Sequence, residues 1–309
     1  MRYVSCVVDA SHDTAPLWRV LNEQLGVSRT LVRRAKAAPG GLLLEGRQSY
    51  TTAVVHQGQT VSIDVSDRPG AGDGVVVAEE GPVDVLYEDA DLLAVNKPWN
   101  QVAHPCPGHR RGGLGNYVLG YLERTGSDCR LLHPVHRLDW GTSGVLLYAK
   151  NGYAHERVQA QLHAEPPAQG CGRTYLALCQ GRCTEERGVV DLPIVRKDPN
   201  GIERTVGPGG KRAVTRYEVV GRLPGDVVLV AVRLETGRTH QIRVHMAHVG
   251  LPLLGDPLYG EACPSMGRPA LHSHRLRLVH PVTGETLDVS APLPHDMAAM
   301  VGRDFMDAL

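Results

Sequence analysis

Leu17, Val20, Leu21 and Leu25 recur at three- and four-residue spacing, which predicts a helix with one apolar face, and Gly26 ends it. Ser28 then suits an N-cap for a second helix with Leu31, Val32 and Ala35 on one side. Beyond Gly40 and Gly41 the period shortens to that of strands: Leu42–Leu44, a turn at residues 45–47, and the alternating Val61, Ile63 and Val65. From Pro82 to about Pro294, short apolar β-rich runs (83–87, 92–95, 145–149, 175–178, 227–234 and 286–289) alternate with helical and glycine-rich stretches. Their order is too irregular for a βαβ repeat, so this part is expected to be a mixed α+β domain. Ile242, Met246 and Val249 follow helical spacing before Gly250 and Pro252, which places Arg243 on a short helix.

Residues 66–81, rich in Gly, Asp and Pro, interrupt the pattern and suggest a linker with room for one edge strand. The expected organisation is therefore a small α+β unit at 1–66, a linker at 67–81, a larger domain at 82–296 and a tail at 297–309, the tail starting as a short helix or fraying. No internal repeat of fixed period is present.

Composition narrows the class. A single Phe in 309 residues leaves the core to aliphatic side chains. No apolar run approaches the roughly 20 residues a membrane helix needs, and no signal-peptide pattern follows Met1, so a soluble cytoplasmic protein is expected. Seven cysteines without a C-x-x-C pair argue against a disulfide framework or zinc ribbon and for reduced, mostly buried thiols. Thirty-three basic residues balance thirty-three acidic ones, so global charge names no polyanionic partner. Locally, Arg29, Arg33, Arg34 and Lys36 form one basic cluster, and Arg233, Arg238, Arg243, Arg268, Arg275 and Arg277 another. Either could meet a phosphate backbone or be an ordinary solvated face.

The richest chemistry lies in His136-Arg137-Leu138-Asp139-Trp140-Gly141-Thr142-Ser143-Gly144. Asp139 stands on a tight loop, before a predicted strand, among residues that favour turns. On spacing alone, this carboxylate could be a nucleophile or electrostatic stabiliser at a sugar carbon, a metal ligand, or a group that caps the loop.

The string H-R-L-D-x-x-T-S-G resembles the signature of the RluA-type pseudouridine synthases, and every fixed position is matched. Trp140-Gly141 departs from the polar pair usual there. Three further segments are similar in the family's order. Val85-Leu86-Tyr87-Glu88-Asp89 runs on to Leu92-Leu93-Ala94-Val95-Asn96-Lys97-Pro98 and His104-Pro105. Gly172-Arg173-Thr174-Tyr175 has Arg where Lys is usual. Leu234 to His245 continues to Gly255-Asp256-Pro257-Leu258-Tyr259-Gly260, with Leu271-His272-Ser273 and 280–285 beyond. Residues 1–66 resemble an S-four-type RNA-binding domain.

This resemblance implies a mainly antiparallel mixed sheet and an isomerase that breaks the bond from uracil nitrogen 1 to ribose carbon 1′ and reconnects the base through carbon 5. It implies an ionised Asp139 attacking or stabilising the sugar, with Arg243 against it, and Tyr175 packing on the uracil and able to help remove the carbon-5 proton. Arg137 would enter the space the target base leaves. His136, Arg238, His240 and Gln241, with Arg29, Arg33 and Arg34 of the small unit, are candidate RNA contacts. No cofactor is required by an isomerisation. His240, His245 and His248 have the look of a zinc cluster but lack a completing ligand, so no metal is expected. The implied partner is RNA, ribosomal large-subunit RNA first and transfer RNA second, met by a monomer. Two rivals remain open: a non-catalytic RNA-binding protein and an RNA or nucleoside glycosidase.

Overall fold

The computed structural model describes residues 1–67, 76–105, 110–129, 131–164, 170–183 and 185–302. The middle of the expected linker and the end of the tail, 68–75 and 303–309, lie outside these. The first predicted helix is Leu17–Glu23, with Leu17, Val20 and Leu21 inaccessible to solvent. The second is Arg29–Lys36, where the Ser28 hydroxyl accepts from Leu31 N at 3.4 Å. They pack on a four-stranded sheet in the order Tyr3–Val7, Thr60–Asp64, Leu42–Leu44, Arg47–Gln48. The periodicity missed Tyr3–Val7 because only Val4 of this edge strand is fully buried, while Val7 faces solvent.

Polar contacts fasten this unit to the rest. Arg2 forms a two-pronged pair with Asp91 at 3.0 and 2.6 Å, and the Tyr153 hydroxyl donates to Leu25 O at 2.9 Å. Asp67 takes Arg34 Nη1 at 3.0 Å and His133 Nε2 at 2.6 Å.

The remainder is built on one ten-stranded sheet. Its main path runs Arg187–Asp191, Val214–Leu223, Val227–Leu234, Gly172–Gln180, Leu271–Val279, Ser143–Ala149, Leu92–Lys97, Val85–Glu88. Thr286–Ser290 pairs with Leu271–Val279, and His133–Pro134 with Ser143–Ala149. All pairings are antiparallel except one: Leu271–Val279 runs parallel to Ser143–Ala149, meeting it at His272↔Ser143 and Ser273↔Gly144. At this seam Gly144 adopts φ +107°, and a Cβ there would lie 2.2 Å from Ser273 O, so only glycine fits. The mixed, mainly antiparallel architecture is the one expected.

Several elements of this part escaped the pattern, two of them for evident physical reasons. Val214–Leu223 carries Arg216, Tyr217 and Glu218 mid-strand and bulges between Val219 and Gly221, which breaks its alternation. The helix Leu114–Arg124 contains Gly115 and Gly120, poor helix formers; a Cβ on Gly120 would meet Glu79 O at 2.1 Å. The tail begins with the helix His295–Val301, and no helix among the described residues is long and apolar enough to cross a membrane. Of the six described cysteines, Cys129 and Cys179 are buried and four are half-exposed, fewer buried than composition suggested.

Candidate active site

Asp139 sits in the loop between His133–Pro134 and Ser143–Ala149, closed into a turn by Thr142 N donating to Asp139 O at 3.0 Å. The turn chemistry that made loop-capping plausible is present, yet the carboxylate itself opens on a cavity of about 490 Å³. That is a volume suited to a small-molecule site. Tyr175 from Gly172–Gln180 and Arg243 from the helix Gln241–His248 reach the same cavity, so the structure brings these three together from separate elements.

Arg243 differs from expectation in its principal partner. Its Nε and Nη2 each donate to Asp256 at 2.7 Å in a buried fork, while Nη1 lies 3.6 Å from Asp139 Oδ2. Asp256 fixes the guanidinium and leaves its third nitrogen facing Asp139. The Arg243 guanidinium also lies over the Tyr259 ring, 5.1 Å from its centroid.

His240 Nε2 is 3.9 Å from Asp139 Oδ2, and its Nδ1 is 2.8 Å from the Tyr259 hydroxyl. That hydroxyl also accepts from Arg204 N at 2.8 Å, which fixes it beside the ring. Burial holds His240 below its ordinary pKa despite the charge of Asp139. The histidine holds φ +58° at the start of its helix, a sparsely populated conformation for a non-glycine residue and one found often at functional positions.

Lys97 approaches from behind the loop. It is fully buried and donates to Pro98 O at 2.7 Å and Trp140 O at 3.2 Å. Burial pushes its ammonium down to about 7, with Asp139 opposing that push and Arg268 adding to it. Burial also raises the Tyr175 hydroxyl above its ordinary value, so at neutral pH the group is a phenol.

Other expected contacts fall differently. Arg137 is exposed at the cavity wall, as is Arg238, whose Nε donates to Arg212 O at 2.9 Å. Gln241 lines the cavity but its amide is spent: Nε2 donates to Val214 O and Thr215 Oγ1, and Oε1 accepts from Thr236 and Arg238 N. These bonds set the approach to the helix. His136 is likewise buried, its Nε2 accepting from Leu147 N at 3.4 Å. Arg29 and Arg33 are exposed, but Arg34 is drawn into the Asp67 pair that joins the two units. The second arginine stretch is no continuous basic face, because Arg243 and Arg268 are buried on carboxylates and Arg275 and Arg277 share Asp288. His245 spends its ring nitrogens on Thr215 Oγ1 and Leu192 O, at 2.9 and 3.0 Å.

Two buried histidines give the fold an acid limit. Burial lowers His136 to about 3, with the charge of Arg173 adding to it, and lowers His272 to about 4. In the unfolded chain both titrate at their ordinary value near 6.5. Below that pH the unfolded chain takes up protons that the folded chain does not, so stability falls as pH drops, toward 4 for His272 and 3 for His136. The expected slope is about 1.4 kcal/mol per pH unit for each histidine. Urea midpoints measured from pH 7 to 4.5 check it, and His136→Gln should remove part of the slope.

A sequence profile of the RNA pseudouridylate synthase family matches residues 91–248, from the Asp91 pair through Asp139 and Tyr175 to the helix bearing Arg243. The chain belongs to that family. It is 38% identical over 281 residues to the uncharacterized RNA pseudouridine synthase YjbO of Bacillus subtilis, covering 90% of this chain and 95% of that protein. It is 35% identical over 271 residues to ribosomal large subunit pseudouridine synthase D of Pseudomonas aeruginosa, covering 83% and 82%. Among solved structures it resembles human RNA pseudouridylate synthase domain containing 1, with a TM-score of 0.54, 26% identity, and coverage of 76% of this chain and 90% of that one. This RNA pseudouridine synthase is therefore an isomerase acting on uridine in RNA.

The resemblance named Asp139, Tyr175 and Arg243. It left Asp256, Tyr259 and Lys97 without roles although each stood in a quoted segment, and it missed Arg268. The signals were there in Gly255-Asp256-Pro257-Leu258-Tyr259 and Asn96-Lys97-Pro98.

Proposed function

We propose that this pseudouridine synthase modifies large-subunit ribosomal RNA, with Asp139 as the carboxylate that attacks or stabilises ribose carbon 1′. The observation that carries the reading is the placement of Asp139 at a cavity wall opposite Arg243 Nη1 and His240 Nε2. As the bond from nitrogen 1 to carbon 1′ breaks, positive charge develops on the sugar, and a fixed carboxylate stabilises it. Carbon 5 then bonds to carbon 1′, its proton leaves, and nitrogen 1 gains one, so the reaction balances without a metal or organic cofactor. Tyr175 supplies its ring as a surface for the uracil, because a buried phenol with a raised pKa is a poor base. Apolar neighbours such as Leu138, Ile242 and Leu271 keep water from the activated sugar.

The target uridine has to leave its stack, at a cost of a few kcal/mol. The exposed Arg137 beside the loop supports a role in filling the space left behind. Exposed Arg29 and Arg33 support RNA binding by the small unit. Two arguments favour ribosomal over transfer RNA: the likeness of residues 1–66 to an S-four-type domain, and the similarity to ribosomal large subunit pseudouridine synthase D. On this reading the enzyme works as a monomer in the cytoplasm.

Incubation with RNA tritiated at uridine carbon 5 tests it. Ribosomal RNA should release tritium without losing base, whereas freed uracil would point to a glycosidase. Transfer RNA as the preferred substrate would overturn the substrate assignment. In the same assay Tyr175→Phe should stay within about tenfold of the parent rate, and Tyr175→Leu should fall further. An inactive Tyr175→Phe would instead give the hydroxyl the proton-removing role.

A further inference from the structure

Among the described residues Arg268 is the largest side chain with almost no solvent exposure, yet it lies outside the cavity. Its Nη1 donates to Gly141 O at 3.1 Å, Pro269 O at 3.1 Å and Leu271 O at 3.2 Å. Its Nε and Nη2 donate to Asp296 at 2.7 and 2.8 Å. Asp296 belongs to the helix His295–Val301 and also accepts from Met297 N at 2.8 Å. One guanidinium thus joins the Asp139 loop, the start of the central strand Leu271–Val279, and the C-terminal helix.

The loop is built to receive this grip. Successive carbonyls, those of Trp140 and Gly141, each accept from a buried nitrogen, Lys97 Nζ and Arg268 Nη1 respectively. Gly141 lets the backbone come close: a Cβ there would lie 2.9 Å from Pro269 Cδ and 3.8 Å from Arg268 Cβ. The Trp99 ring lies 6.0 Å from the Arg268 guanidinium, and Trp140 stands edge-on to Trp99 at 5.6 Å. The two residues that depart from the usual family pattern are thus the two whose carbonyls are held.

We infer that Arg268 is a positioning residue for Asp139, aimed by Asp296, so that a helix remote from the cavity sets the reach of the catalytic carboxylate. This rests on Asp139 being the reacting carboxylate. Neither Arg268 nor Asp296 lines the cavity. The clamp acts through the backbone, holding two consecutive carbonyls of the loop whose Asp139 carboxylate lines the cavity. Displacing a reacting group by about 1 Å costs on the order of a hundredfold in rate.

The test compares Asp296→Asn, Arg268→Lys and Arg268→Met with Met297→Ala, which loosens the same helix and leaves the clamp's side chains in place. Single-turnover tritium release and RNA affinity are measured for each full-length protein. The expected result is a fall in rate of about ten- to a hundredfold for Asp296→Asn, with affinity within about threefold. Arg268→Met should fall further, Arg268→Lys should recover part of the loss, and Met297→Ala should keep the parent rate. A folded Asp296→Asn at the parent rate overturns the inference. So does an equal loss in Met297→Ala, which would mean general loosening, or a loss confined to affinity. If Arg268→Met does not fold, the Asp296→Asn and Met297→Ala pair decides. Asp139→Asn, run alongside, separates the failures: an active Asp139→Asn removes the premise, whereas an inert one beside a normal Asp296→Asn sinks only the clamp.

Discussion

Asp139→Asn is expected to lose turnover by at least about 10⁴-fold while RNA affinity stays within a few-fold of the parent. The substitution is nearly isosteric, and the carboxylate it alters is one-third exposed with its ion pairs at 3.6 and 3.9 Å, too long for strong hydrogen bonds. Stability should therefore move by no more than about 1 kcal/mol. What is lost is the negative charge opposite the developing cation of the sugar, and an amide neither attacks nor neutralises it. Single-turnover tritium release paired with a binding titration measures both quantities on one preparation. Substantial turnover in a well-folded Asp139→Asn would end the assignment of this residue.

The second large effect is expected at the buried fork between Arg243 and Asp256, whose side chains are 7% and 1% exposed. Removing either partner strands a charge, and such losses run to about 3–5 kcal/mol. The two changes should differ. In Arg243→Met, Asp256 keeps backbone donors from Leu258 and Tyr259 at 3.0 and 3.3 Å, so its loss falls at the lower end. In Asp256→Asn the guanidinium loses its only carboxylate within hydrogen-bond reach among the described residues, along with the aim of Nη1 toward Asp139. Both variants should lose activity, by about a hundredfold or more. The double variant Arg243→Met/Asp256→Leu should recover stability but not turnover. Urea unfolding and single-turnover rates separate these terms; a double variant no more stable than the singles would contradict the account.

The sequence disclosed those parts of the fold whose signal is local. The helices Leu17–Glu23 and Arg29–Lys36 were legible because each has an apolar face and a residue suited to its end, Gly26 and Ser28. The buried strands around 92–95, 145–149 and 227–234 were legible as continuous apolar runs. Asp139, Tyr175 and Arg243 became legible through motifs, since spacing alone left Asp139 as good a turn residue as a reactive one. What stayed hidden was partnership. An arginine in a string of letters does not say whether it meets phosphate or a buried carboxylate, and Arg34, Arg243 and Arg268 each took a carboxylate. Gln241 shows the same in a reactive-looking motif, where its amide is occupied by Val214, Thr215, Thr236 and Arg238.

The parallel seam bears on how the protein is made. Among the described residues, strand Leu271–Val279 is the one element in the path joining Gly172–Gln180 to Ser143–Ala149, so without it the large sheet is two separate sheets with open inner edges. Its contact between His272 and Ser143 spans 129 residues, a distance that delays pairing in a growing chain. A nascent polypeptide that has not yet released this strand from the ribosome carries Asp139 on a loop with no floor beneath it. It also presents two sticky borders to its neighbours. Catalytic competence and protection from aggregation therefore both wait on this strand.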